Sequence, residues 1–224
     1  MLNNTLYSFL LTTIAGFSTL IGSILIFFDK KKSEKVIVAS LSFASAVMLT
    51  VSFTDLIPEA IDMLKNVYPK FPCYIILLLF INIGIIISFL IDKYLPEEKI
   101  NDKGTLYKVG IISMLAIILH NIPEGISISI PIFYATGSKL KAFSYTFISG
   151  LSELFGAFIT YLFLQPYIND RVMGILFAII AGIMMHISIY ELLPTSLKYH
   201  KKKITLVFFI IGILFILINH FLFI

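Results

Sequence analysis

Residues 73–91 read CYIILLLFINIGIIISFLI, a stretch without one Asp, Glu, Lys, Arg or His. An α-helix crosses the hydrocarbon core of a bilayer in about 20 mostly apolar residues. The stretch has that length and that composition, so it reads as a membrane-spanning helix. Six further blocks of the same character flank it, at about 6–28, 36–57, 109–134, 143–164, 172–193 and 204–224. Together they take up most of the 224 residues and leave no room for a soluble domain. Only 13% of the residues are charged, against roughly 25% in an average soluble domain. The fold class is therefore all-α: a polytopic transmembrane helix bundle of seven apolar segments. Met1-Leu2-Asn3-Asn4 lacks the basic start of a secretory signal, so block 6–28 reads as a first spanning helix. The single cysteine, Cys73, has no partner for an internal disulfide or a CxxC motif.

The lysines crowd four short loops. The first holds Lys30, Lys31, Lys32 and Lys35, and the second Lys93, Lys99, Lys103 and Lys108. The third holds Lys139 and Lys141, and the fourth Lys198, Lys201, Lys202 and Lys203. Short loops rich in Lys and Arg stay in the cytoplasm, so these read as topology signals and not as a nucleic-acid surface. That threading puts the N-terminus outside. It meets one conflict, because loops two and three both belong inside while a single block, 109–134, separates them. Either that block is re-entrant, or one lysine loop is on the other side, or a helix is missing.

An internal repeat meets the same conflict. Ser52-Phe53-Thr54-Asp55-Leu56-Ile57-Pro58 resembles Ser188-Ile189-Tyr190-Glu191-Leu192-Leu193-Pro194, each at the end of an apolar block. Transporters are often built from inverted repeats with the ion site between the halves. Counted among seven helices, the two copies run the same way; counted among eight, they run oppositely, as inversion requires.

The ionisable residues inside the apolar blocks are Asp55, His120, Glu124, Glu153, His186, Glu191 and His220. A charge at the bilayer centre costs about 2.5–3.5 kcal/mol, so such residues face a bundle interior, pair, or bind an ion. The densest group is His120-Asn121-Ile122-Pro123-Glu124-Gly125. His120 and Glu124 are four apart and share a helical face; Asn121 flanks it. Pro123 disrupts the bond to the carbonyl of Leu119, freeing another oxygen. Glu153 lies near the middle of its block among Ser149, Gly150, Ser152 and Gly156, small residues that admit a close neighbour helix. Imidazole, carboxylate and amide oxygen together suit zinc, iron, manganese or cobalt.

The remaining acids and histidines read less sharply. Asp55 and Glu191 serve equally as vestibule carboxylates or as interfacial charges. His186 lines the path or bonds within the bundle; five residues from Glu191, it shares no α-helical face with it. His220 reads as interfacial and His200 as solvated. No HExxH is present, which speaks against an intramembrane metalloenzyme.

His120 to Gly125 resembles the signature of the ZIP (Zrt-, Irt-like protein) divalent metal transporters, bacterial ZupT type. Ser52 to Pro58, Pro131 to Lys139, Ser149 to Gly156 and Ser188 to Pro194 are similar to further family segments along nearly the whole chain. The resemblance implies uptake of Zn2+, with Fe2+, Mn2+ or Co2+ as related cargo, into the cytoplasm across the plasma membrane. It implies no prosthetic group. It also implies eight helices, the first three and last three forming inverted repeats around two central ones. His120, Asn121, Glu124 and Glu153 occupy matching metal-ligand positions. One departure stands out, for ZupT-type members carry HNxPEG in two tandem helices and this chain carries it once. The chain reads as one membrane domain: a first repeat over about 1–94, a merged central metal helix over about 109–137, and a second repeat over about 139–224. Two functions are compatible with this reading. One is a divalent-metal transporter, its missing ligands restored by a homodimer. The other is a transport-incompetent deletion variant that only binds metal or serves a structural role in the bilayer.

Overall fold

The computed structural model describes residues 2–28, 33–94, 121, 124–130 and 132–223, with side chains over 9–24, 33–91, 121, 124–130, 132–163 and 166–222. The helices are α1 (Leu2–Phe28), α2 (Glu34–Val51), α3 (Ile57–Lys65), α4 (Lys70–Tyr94) and α5 (124–130 and 132–136). They continue with α6 (Lys139–Ile159), α7 (Asp170–His186), α8 (Leu193–Leu197) and α9 (Lys202–Phe223). Among the described residues, five helical stretches are long and apolar enough to cross a membrane: Glu34–Lys65, Lys70–Ile91, Lys139–Phe163, Asp170–Leu197 and Lys202–Leu222. Six of the seven apolar blocks thus coincide with helices; most of block 109–134 lies outside the described residues.

The surface is what a bilayer demands. Phe71, Leu78, Phe155, Phe163, Leu206 and Phe221 are exposed, whereas Ser42, Ser45, Ser52, Ser188, Ser196 and Thr205 are buried. Buried hydroxyls need partners where water is absent. Most donate back to a carbonyl of their own helix, as Ser42 does to Val38, Thr50 to Ala46 and Thr146 to Ala142. Others tie helices together: Ser45 donates to the Ser188 carbonyl, and Ser42 and Ser196 share a 2.6 Å bond.

The prolines of the repeat do not end their helices. A π turn, Ser52–Leu56, joins α2 to α3, and a second, Ile187–Leu192, joins α7 to α8. In an α-helix Pro58 would clash with the carbonyl of Thr54, and Pro194 with that of Tyr190. Both carbonyls sit in π turns, where the ladder shifts from i−4 to i−5. Accordingly the Ile57 N–H donates to the Ser52 carbonyl and the Leu193 N–H to that of Ser188. Each proline then occupies the first turn of the next helix, where no N–H is needed.

The two copies of the repeat are antiparallel. Ser45 meets Ser188 at one end of the pair, while Leu64 meets Gly174 at the other. The packing partners follow the same exchange, since α2 packs on α9, α4 on α7, and α1 on α6. Gly212 of α9 closes on the carbonyl of Phe43, and Gly84 of α4 closes on that of Ile179. At the centre, Gly16 and Gly150 face each other's carbonyl oxygens, and a Cβ on either would overlap the other's backbone. The two copies therefore run oppositely, as inversion requires.

The basic loops meet at one end of the bundle. Lys201 pairs with Glu34, and the Tyr134 hydroxyl donates to the Ser33 carbonyl at 2.6 Å. These contacts bring the first, third and fourth loops to one face. Cys73, early in α4, donates to the Ile61 carbonyl of α3, so α4 starts at the far face and Tyr94 ends at the basic one. Tyr94 and Gly137 thus share a side; most of block 109–134, which joins them, lies outside the described residues. The two-lysine third loop is on the same side as the first and fourth.

With Cys73 replaced by Ser, a cysteine at Ser138 or His200 will react with an impermeant thiol reagent from one side of the membrane, and a cysteine at Asn66 from the other. Reactivity of Ser138→Cys together with Asn66→Cys would refute this arrangement. Gly16→Leu and Gly150→Leu will each cost about 1–3 kcal/mol by overpacking, read as a lowered thermal midpoint in detergent. Unchanged midpoints would show that the α1–α6 contact is looser than described.

Candidate metal site

The polar interior gathers where α5 enters the groove between α1 and α6. Two rungs join α5 to α6. The Ser149 hydroxyl donates to Glu124 Oε1 at 3.3 Å, and the Asn121 amide Nδ2 donates to Glu153 Oε2 at 2.9 Å. Ser149 and Glu153 are four apart on α6 and share one face of it; Asn121, three residues before Glu124 at the start of α5, meets the same face. Helix α1 completes the enclosure. Asn121 Nδ2 also donates to the Ala15 carbonyl at 3.0 Å, and Thr19 Oγ1 donates to Glu153 Oε1 at 3.4 Å. Gly125 seats α5 on α1, since a Cβ there would overlap the Thr19 carbonyl. The relative exposures of Asn121, Glu124 and Glu153 are 6%, 7% and 9%, so all three polar side chains are inside the protein.

Three of the four expected ligand residues therefore come together. His120, with Pro123 and the Leu119 carbonyl, lies outside the described residues. Among the described residues no three His, Cys, Asp or Glu side chains form one cluster; the described site is two carboxylates and an amide. Such a donor set offers a divalent cation hard oxygens. Asn121 and Thr19 each donate to one oxygen of Glu153. One reading needs correction: of the small residues around Glu153, only Ser149 and Gly150 are buried in the seam; Ser152 and Gly156 are exposed, and Gly156 has open space beside it. Thr19 is one of four threonines in α1 and carries no motif that sets it apart in the sequence.

The other ionisable residues stand elsewhere. Asp55 lies in the first π turn, where Thr54 donates to its Oδ2, and its Oδ1 is 3.4 Å from His220 Nδ1 on α9. His186 is buried between α4 and α7, with Nδ1 2.9 Å from Ser88 Oγ. Its ring stacks on Tyr190 at 5.0 Å and meets Phe89 edge-on. Glu191 is partly buried in the second π turn. That turn starts directly after His186, and π geometry places residues five apart one turn apart. The α-helical argument that separated His186 from Glu191 therefore does not hold here.

An all-α membrane bundle with antiparallel repeat helices and carboxylates enclosed at its centre has the build of an ion-handling membrane protein. Comparison with known proteins narrows the class. The family model described as "ZIP Zinc transporter" matches residues 107–220. The zinc transporter ZupT of Clostridium perfringens is 37% identical, with 100% of this chain and 98% of the relative covered. The ZupT proteins of Campylobacter jejuni and Streptococcus mutans are 35% and 34% identical, covering 91% and 97% of this chain and equal shares of their own lengths. The chain belongs to the ZIP zinc transporter family, a family of membrane transporters and not of enzymes. The Clostridium alignment runs over 281 positions and takes in all 224 residues of this chain, so 57 of its positions face no residue here.

Ser88→Ala will remove the hydroxyl that faces His186 Nδ1. We expect a loss of about 0.5–1.5 kcal/mol of stability, the worth of one hydrogen bond, with zinc binding unchanged. Thermal unfolding and zinc titration of the same preparation measure both; weakened zinc binding at full stability would instead place His186 on the ion path.

Proposed function

We propose that this protein carries zinc into the cytoplasm across the plasma membrane, with iron, manganese and cobalt as related divalent cargo. The observation that supports this most is the enclosure of Glu124, Glu153 and Asn121 in one seam between α1, α5 and α6. Oxygen donors of this kind, with His120 beside them in sequence, match the intermediate metals better than copper(I), which favours thiolate and thioether ligands. Glu124, Glu153, Asn121 and His120 are the ligands in this reading. Asp55 and Glu191, carried on the two π turns, serve the two ends of the path, and His186 supports the wall near Glu191. The basic loops are cytoplasmic and the N-terminus is outside. The 57 unmatched positions and the single HNxPEG copy support the loss of one central helix. They also favour a second reading, a metal-binding membrane protein without a complete path. A homodimer that supplies the absent ligands separates the first reading from the second.

Zinc uptake by cells lacking their own importers tests this directly. Expression of the chain should raise uptake, and Glu124→Ala or Glu153→Ala should lower it at least about tenfold at equal membrane levels, as loss of a metal-site residue does elsewhere. No uptake above the vector control, with zinc still bound by the purified protein, would leave only the second reading.

A further inference from the structure

We infer that α1 is a positioning element of the metal site, with Thr19 as the residue that holds Glu153 in place. The inference rests on the reading of Glu153 and Glu124 as metal ligands.

The argument starts from what a hydroxyl does in an apolar helix. With no water nearby, Ser and Thr ordinarily close onto a carbonyl three or four residues back. The described residues share that habit. On α1 itself Thr13 donates to Phe9 and Ser18 to Ala15; on α2 and α6, and in the π turn after α7, Ser42, Thr50, Thr146 and Ser188 do the same. Thr19 is fully buried, and its donation goes to Glu153 Oε1 across the helix seam. Of the carbonyls four and three residues back, that of Ala15 already takes Ser18 Oγ at 2.6 Å and Asn121 Nδ2 at 3.0 Å, and that of Gly16 lies against Gly150 of α6. The hydroxyl is directed instead to the carboxylate.

This arrangement acts on the site in two ways. Both oxygens of Glu153 are held, Oε1 from α1 and Oε2 from α5. Donors on both oxygens, from two different helices, fix the group in orientation. The amide of Asn121 is fixed as well. Its Nδ2 is committed to Ala15 and Glu153, which turns Oδ1, the atom able to bind a metal, away from them. Gly16 and Gly150 bring the α1 backbone against α6, and Gly125 brings α5 onto α1 beside Thr19, so the geometry is set by backbone contact on both sides. Ligands held in advance lose less freedom when the ion binds, and a metal site depends on such supporting bonds for about 10–100-fold in affinity.

The test is a zinc titration of the full chain in detergent, against a chelating dye, with thermal unfolding run alongside. Thr19→Val keeps the shape and removes the hydroxyl; it should weaken zinc binding about fivefold, the worth of one buried hydrogen bond, with the thermal midpoint little changed. Thr19→Ser restores the donor and should return affinity to within about twofold of the parent protein. If Thr19→Val does not fold, Thr19→Ala, which fits any space threonine occupies, takes its place. Parent-like zinc affinity in the hydroxyl-free variants overturns the proposal, as does a loss that Thr19→Ser does not restore. Glu124→Gln and Glu153→Gln tell the two levels apart. If they lose zinc while Thr19→Val does not, the ligand reading stands and the role of α1 falls. If they bind zinc like the parent, the ligand reading itself fails, and the role of Thr19 with it.

Discussion

A carboxylate inside a membrane bundle must be held by the protein, and most of this structure can be understood from how Glu153 is held. Water is not available to solvate it, and the charge costs about 2.5–3.5 kcal/mol even on lenient insertion scales. Its donors come from two other helices, Thr19 on α1 and Asn121 on α5. Those bonds are short enough only if the three backbones approach closely. Gly16 and Gly150 permit this between α1 and α6, and Gly125 permits it between α5 and α1. The glycines, the threonine and the amide thus form one dependent set around a single acid. Glu124 repeats the arrangement more simply, with Ser149 as its described donor.

The π turns answer a second constraint. Each half of the chain carries an acid with a proline three residues later, and the helix continues past both. The change from i−4 to i−5 bonding makes room for the proline ring and rotates the next helical segment about the axis. In α2 it sets Asp55 within reach of His220 on α9. In α7 it alters the spacing between His186 and Glu191. The same device at the same place in antiparallel helices ties the local geometry to the repeat and sets an acid toward each end of the bundle.

Much of this was legible in the sequence, because a bilayer imposes long apolar blocks that are hard to mistake. Helices α1, α2, α4, α6, α7 and α9 all lie where those blocks stand. Asn121, Glu124 and Glu153 could be picked out as polar residues where polarity is expensive, and they meet. What could not be read depended on contacts distant in sequence. Pro58 and Pro194 look like helix ends unless the π turns before them are known. Ser152 and Gly156 look equivalent to Ser149 and Gly150 until the position of α1 decides which side of α6 is covered. Thr19 is one hydroxyl among many, and its turn toward Glu153 depends on carbonyls at Ala15 and Gly16 whose surroundings only the packed helices reveal.

The same geometry bears on how a chain shorter than its relatives keeps its architecture. The pairings α1–α6, α2–α9 and α4–α7 draw on the two flanking parts of the chain. The glycine contacts at Gly16, Gly84, Gly150 and Gly212, which fix how closely those helices approach, lie there too. These flanking helices thus hold one another by contacts of their own. The candidate metal site draws on both parts of the chain. Glu153 and its partner Thr19 belong to the flanking helices, whereas Asn121 and Glu124 belong to the one motif copy present. Under the proposed ligand reading, the single motif copy bears on the number of ligands around an ion, whereas the fold that presents them rests on the flanking helices.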